Sequence, residues 1–293
     1  MKYIIIILCV LLLLVLLEMK RELSSFSKKE YTIRMGQLKK DRKILFLSDM
    51  HNHVYGKENC ELLEAIKSEA PDYILIGGDM LVGKSGISYQ TALEFVKQLP
   101  AICPVYYANG NHEQRMKEIP ENYDQSFEEY QKELVNAGVC FLENHSVYLD
   151  WDGRKVKITG LEIPLGCYLH WHKDELKLNE VVERIGEREN DCYEILMAHN
   201  PSFMSKYVER GADLILSGHL HGGIVRIPGV VGAISPSFEI FPQYSGDHYR
   251  EGDTDIIVSK GLGTHTFNIR LFNPAELIVL NFKADACIIK NCD

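Results

Sequence analysis

The sequence predicts an α/β fold, sheets layered with helices, carried behind an N-terminal membrane helix. Three observations predict it. Short apolar runs of strand length alternate with segments of helical periodicity, the runs end in polar residues, and the chain opens on an unbroken apolar stretch. Composition agrees, because 46% hydrophobic and 25% charged residues over 293 positions are enough to bury a sizeable core.

The apolar stretch YIIIILCVLLLLVLL, Tyr3 to Leu17, lies between Lys2 and the pair Lys20 and Arg21. At about 1.5 Å per residue it falls short of a hydrocarbon core of roughly 30 Å, so flanking residues extend the span and 1–23 is expected to be the anchor. A cleaved signal sequence is the competing reading. EMKRELSSF after Leu17 offers no small-x-small cleavage site, which favours a retained, single-pass anchor in the cell membrane. Lys20, Arg21, Lys28 and Lys29 outnumber Lys2 and the terminal amine, which favours a cytoplasmic body, while Glu18 and Glu22 dilute that bias and leave the side open. Residues 24–40 are polar and read as a stalk, leaving 41–293 as the body.

In the body, KILFLSD (43–49) reads as a strand, ENCELLEAIKSEA (58–70) as a helix and DYILIGGD (72–79) as the next strand. ISYQTALEFVKQL (87–99) is helical, PVYYANGNHE (104–113) is a strand with its tip, and SFEEYQKELVNAG (126–138) is a helix closed by Gly138. CFLENHSVYLD and KVKITGLE are strands about the turn Asp152-Gly153, followed by the helix KDELKLNEVVERIGERE. CYEILMAHNP and ADLILSGHLHGG return to the apolar strand with a polar tip. DTDIIVSKGLG and ELIVLNFK are two closing strands.

A net charge of -9 without a basic stripe excludes the phosphate-backbone affinity of a nucleic-acid binder. Of the eight cysteines one, Cys9, lies in the anchor, and the others show no CxxC spacing, so neither a zinc knuckle nor a disulfide framework is indicated. Cys287 and Cys292 are close enough in sequence to pair, with free buried thiols as the plainer reading.

Five strand tips carry the same kind of residue: Asp49 and His51, Asp79, Asn111 and His112, His199, and His219 and His221. In open α/β sheets ligands bind beyond the carboxyl ends of strands, where segments distant in sequence meet. Each tip alone is a weak signal, since GGD and GNH occur in ordinary turns and a lone histidine beside a strand is commonly a satisfied core residue. Together they form a strong one. Buried and bare, so many Asp, Asn and His side chains would be costly, and metal ions would offset that cost.

In this order the tips resemble the calcineurin-like metallophosphoesterase superfamily, whose pattern is D-x-H, G-D, G-N-H-D/E, H and G-H-x-H; every element is present between Lys43 and about Gly223. The resemblance implies a four-layer α/β/β/α sandwich and two divalent metal ions, manganese first and iron or zinc next, hydrolysing phosphoester or pyrophosphate bonds through a metal-bridging hydroxide. It implies Asp49, His51 and His221 on one ion, Asn111, His199 and His219 on the other, and Asp79 bridging. His112 would be catalytic, facing the phosphoryl group, with Glu113 orienting it. Leu220 departs from the small polar residue common between the two histidines, at a position that holds no ligand.

The segments 252–255, SKGLGTHTFNIR (259–270) and NPAEL (273–277) extend the likeness to a membrane-anchored bacterial branch, similar to UDP-2,3-diacylglucosamine pyrophosphatases. A lipid-linked pyrophosphate is therefore one substrate class it implies. A non-catalytic scaffold on the same fold is the reading from another class, and the full set of tip residues argues against it. His53 is expected to support rather than bind metal. His265 and Arg270 are candidates for the substrate phosphate, with structural packing as the alternative. Tyr168, Trp171 and His172 could cap the cleft, or simply lead into the next helix.

Overall fold

The computed structural model describes residues 1–36, 38–169, 174–223, 225–226, 232–234, 242–264 and 268–284. The apolar stretch forms α1 (Lys2–Leu23), whose apolar window is not covered by the rest of the chain. It is long and apolar enough to cross a membrane: 22 residues reach about 33 Å against a hydrocarbon core of roughly 30 Å.

In chain order there follow β1 (Phe26–Arg34), β2 (Arg42–Leu47), α2 (Cys60–Glu69), β3 (Tyr73–Ile76), α3 (Gln90–Val96), β4 (Val105–Tyr107), α4 (Asn111–Glu118), α5 (Phe127–Asn136) and β5 (Val139–Phe141). The second half holds β6 (Ser146–Trp151), β7 (Arg154–Leu161), α6 (Leu178–Ile185), β8 (Tyr193–Ala198), α7 (Met204–Arg210) and β9 (Leu214–Ser217). A two-stranded ribbon, β10 (Val225–Arg226) and β11 (Gly232–Ile234), precedes β12 (Asp247–Glu251), β13 (Thr254–Val258) and β14 (Ala275–Lys283).

Two six-stranded sheets result, ordered β1-β14-β2-β3-β4-β5 and β12-β13-β9-β8-β7-β6. Alternation along the central strands decides the layering. In β2, Leu45 and Leu47 pack outward with Leu62 and Ile66 of α2 and Tyr130 and Leu134 of α5, whereas Ile44 and Phe46 face inward. There they join Ile158 of β7, Ile195 and Met197 of β8 and Leu214 and Leu216 of β9, which fills the space between the sheets. On the far side Leu196 and Ile215 pack with Val181 of α6 and Tyr207 of α7. The outcome is the four-layer α/β/β/α sandwich. Burial on both faces explains why these strands read as unbroken apolar runs.

Parallel pairing of β2 with β3, β3 with β4, β7 with β8, β8 with β9 and β9 with β13 sends their carboxyl ends to one end of each sheet. That end carries the polar tips.

Residues 24–40 are not a stalk. β1 pairs in parallel with β14 along its whole length, Phe26 opposite Ala275 through to Arg34 opposite Lys283, and only Ser24 and Ser25 separate it from α1. It is an edge strand with Ser27 to Glu30 and Thr32 in solvent, Tyr31 and Ile33 buried in the core and Phe26 half-buried against it. An edge with one polar face has the composition of a linker. α7 and β12 also lack a clear sequence signal, and Asn111, expected on a strand tip, begins a helix.

A fragment that starts at Ser24 keeps β1, and one that starts at Arg42 loses it. Uncovering the packing of Tyr31 and Ile33 costs roughly 3–6 kcal/mol. At about 2–4 °C per kcal/mol for a body of this size, the shorter fragment should melt at least about 6 °C lower in a thermal scan. Equal midpoints would place β1 outside the folding unit.

Candidate metal centre

The tip residues meet beyond the strand ends in strained backbone. Asp49, His51, Asp79, His219 and His221 have φ of 54°, 47°, 54°, 68° and 51°, the left-handed region that costs an ordinary residue about 1–2 kcal/mol. Cross-tip hydrogen bonds hold them there: Asp49 N–H donates to Gly78 O at 2.9 Å, His51 N–H to Asp79 O at 3.1 Å and Gly263 N–H to Asp49 O at 2.7 Å. Two glycines permit the approach. A Cβ on Gly78 would overlap the backbone of Gly110, and one on Gly218 would overlap the Asp49 carboxylate.

Asp49, His51 and His221 form one cluster, their ligand atoms all within 4.8 Å of one another. His51 Nε2 lies 3.1 Å from His221 Nε2, which is 3.3 Å from Asp49 Oδ1. His221 Nδ1 sits 3.2 Å from the Gly263 carbonyl, so the proton belongs there and Nε2 presents a lone pair.

Asp79, His199 and His219 form the second cluster. His199 Nδ1 donates to Gly77 O at 2.7 Å, which turns Nε2 toward Asp79 Oδ2 at 3.2 Å. The Asn111 carboxamide places one atom 2.8 Å from His219 Nδ1 and 3.3 Å from Asp79 Oδ2, with Arg115 against its other atom. With nitrogen inward it donates to both; with oxygen inward it completes a ring of acceptors that only a cation can join. Asp79 Oδ2 is also 3.8 Å from His51 Nε2, so this one oxygen faces an imidazole of each cluster.

Burial and charge are in tension here. Burial pushes the Asp49 carboxyl up to about 6, with His199 opposing and Asp79 reinforcing. Asp79 is equally buried, but His199, His112 and His51 outweigh that penalty and hold it well below the usual carboxylate range. Burial works against a charged His199, and Asp79 and Asp49 reverse it, raising the imidazole to about 10. The pocket is built for positive charge, and its oxygen and imidazole donors without thiolate fit divalent ions of the manganese, iron or zinc kind.

His112 lies against both clusters, its ligand atom within 4.8 Å of those of His51 and Asp79. The Gly83 N–H donates to its Nδ1 at 2.9 Å, so the neutral ring carries its proton on Nε2, 3.9 Å from Asp79 Oδ2. The ring meets His51 edge to face at 4.8 Å.

The model of the calcineurin-like phosphoesterase family matches residues 42–223, the whole stretch that supplies these tips. The chain belongs to that family. Among its relatives are the Bacillus subtilis (strain 168) protein YpbG, 28% identical over 240 residues covering 78% of this chain and 76% of that one, and the metallophosphoesterase YkoQ of the same organism, 26% identical over 246 residues covering 82% and 83%. A solved structure of sulfate thiohydrolase SoxB from Thermus thermophilus aligns at 14% identity and TM-score 0.49 over 81% of this chain and 53% of that one. Family and clusters together support divalent metal ions and a phosphohydrolase.

Within this phosphoesterase Glu113 does not orient the His112 ring. Its carboxylate accepts from the backbone N–H of Asp79 at 2.8 Å, Met80 at 2.9 Å and Gly110 at 3.1 Å, and from Tyr107 Oη at 2.8 Å. It is a capping-box glutamate for α4 that also clamps the β3 tip, and burial next to Asp79 raises it to about 7. Arg270 is buried as packing, donating to the carbonyls of Lys260, Gly261, Gly263 and Asn273. His53 interacts with the Leu23 backbone and packs on Tyr55 at 4.6 Å. Tyr168 sits edge-on to His219 at 5.3 Å. His265, Trp171, His172, Cys287 and Cys292 lie outside the described residues. Asn273 carried no signal in the sequence beyond its NPAEL motif, yet its Nδ2 donates to His221 O and Gly223 O, both at 2.7 Å.

Glu113→Gln separates the two roles. Turning an acceptor oxygen into N–H opposite backbone donors costs about 1–3 kcal/mol and loosens the β3 tip, so bound metal measured by mass spectrometry should fall along with activity. Full metal content with reduced turnover would restore the His112-orienting role.

Proposed function

We propose that this chain is a dinuclear-metal phosphohydrolase, acting on phosphoester or pyrophosphate bonds and held at a membrane by α1. The observation that supports it best is the meeting of two acceptor clusters at Asp79, with a further histidine, His112, whose Nδ1 takes the Gly83 N–H and so leaves a proton on the nitrogen that faces them. Asp49, His51 and His221 would hold one ion, Asn111, His199 and His219 the other, with Asp79 touching both. When bound, two such ions acidify a water and neutralise charge on the phosphoryl oxygens.

The remaining work falls to the protein. His112 Nε2–H, set in that tautomer by Gly83, is the donor for a phosphoryl oxygen or the departing oxygen. The strained, cross-bonded tips keep the ligand set in place before substrate arrives. A metal-binding scaffold would have no use for a histidine whose tautomer, fixed by a backbone amide, presents a proton to the site. Manganese is the leading ion, with iron and zinc next. A lipid-linked pyrophosphate of the UDP-2,3-diacylglucosamine kind is one candidate substrate, and α1 is the feature that favours it.

The test uses the full chain in detergent with manganese and bis-p-nitrophenyl phosphate. Chelation should abolish turnover, and His112→Ala should keep both ions while losing about 10²–10⁴ in kcat. Turnover that survives chelation, or is unchanged in His112→Ala, would remove this mechanism.

A further inference from the structure

The anchor helix is bonded to the metal centre's own scaffold. Glu22, in the last turn of α1 and 2% exposed, accepts from the Asn273 N–H at 2.9 Å, and the Asn273 side chain in turn holds His221 O. His53, two residues past His51, interacts with the Leu23 backbone. Phe26 at the start of β1 packs on Tyr55 at 4.8 Å, whose hydroxyl donates to Leu262 O in the loop that ends at Gly263.

Strand register dictates the same placement. β14 runs antiparallel to β2 with Ile278 opposite Phe46, and this register, continued, brings Ala275 level with Asp49. Phe26 pairs with Ala275, so β1 begins at the level of a metal-site carboxylate, two strand spacings or about 10 Å away. With two serines between α1 and β1, the helix must leave from the end of the body that carries the centre. The charged last turn of α1, from Glu18 on, rises only about 7–8 Å, comparable to a headgroup layer of roughly 5–8 Å. No spacer lifts the body off the bilayer.

The surface at that end is apolar in the right places. Among the described residues outside α1, the exposed large hydrophobic side chains include Val54 at 45%, Phe272 at 48%, Ile269 at 37%, Leu169 at 55% and Ile87 at 40%. Val54 and Phe272 adjoin His53 and Asn273, of which Asn273 is hydrogen-bonded to Glu22 and His53 interacts with the Leu23 backbone. Leu169 follows Tyr168, which touches His219, and Ile87 precedes Ser88, whose carbonyl accepts from Asn52 beside His51. These residues come from loops far apart in sequence, and four of the five stand next to a residue that contacts a residue of the strand tips or the end of α1.

We propose that the end of the body bearing the metal centre is a bilayer-contact face. Val54 and Phe272, next to the residues that meet the end of α1, together with Ile269, Leu169 and Ile87, enter the interfacial layer, and the centre opens onto phosphoesters lodged among lipid headgroups. This rests on the reading of α1 as a membrane span and of the centre as hydrolytic.

The test places a photoreactive benzophenone amino acid at Val54, at Phe272, or at Tyr148, which is exposed beside Glu189 at the opposite end of β8 from His199. Each full-length chain is reconstituted in nanodiscs of phosphatidylethanolamine and phosphatidylglycerol, irradiated, and examined for lipid adducts by mass spectrometry. Adducts at 54 and 272 but not at 148 are the expected result. No adducts at 54 and 272, or equal labelling at 148, overturns the proposal. Manganese-dependent turnover of bis-p-nitrophenyl phosphate by the same samples reports folding and the hydrolytic reading separately: turnover without adducts removes only the contact face, and adducts without turnover remove only the hydrolase.

Discussion

Two carboxylates buried side by side are the constraint around which this protein is built. Asp49 and Asp79 are both 0% exposed, and two like charges out of water in one pocket would be prohibitive without compensation. The protein supplies part of it. His219 N–H donates to both oxygens of Asp49 at 2.9 and 3.1 Å, and His112 N–H, one of the free amides opening α4, donates to Asp79 Oδ1 at 2.8 Å. The left-handed φ values follow from this demand, because chains leaving strands must turn sharply to aim backbone amides and side chains at one point. The imidazoles of His51, His199 and His221 then crowd the carboxylate oxygens, an arrangement that favours positive charge among them.

The central strands and the polar tip residues that meet beyond them were legible because both obey local rules. Strands buried on two faces are apolar runs, and a polar pair such as Asp49 and His51 after such a run breaks the pattern at once. What escaped depends on partners. β1 has the composition of a linker because one face is wet, and its strand character exists only through β14, nearly the whole chain away. Asn273 looks like a turn residue, and its bond to His221 O becomes visible only when β14 is laid beside β2.

Glu113 shows why a motif can be read correctly while a role within it is misread. Adjacency in G-N-H-E suggested a carboxylate orienting the neighbouring imidazole. In a helix, however, residues one apart point in different directions, and the third residue faces back across the N-terminus. The carboxylate therefore gathers the Gly110, Asp79 and Met80 amides, and one residue both starts α4 and fixes the tip after β3.

The partner that His112 does have follows from the same electrostatics. A carboxylate on Nδ1 would claim the ring proton and leave a lone pair on Nε2, facing Asp79 across 3.9 Å and useless as a donor to a phosphoryl oxygen. It would also add a third negative group to a pocket already short of positive charge. A backbone amide does the opposite. The Gly83 N–H can only donate, so it pins the lone pair on Nδ1 and the proton on Nε2 without adding charge. Gly83 packs so closely on the His112 carbonyl that a Cβ there would need the helix start to move. The glycine after the β3 tip thus sets the protonation geometry of the histidine proposed as the proton donor.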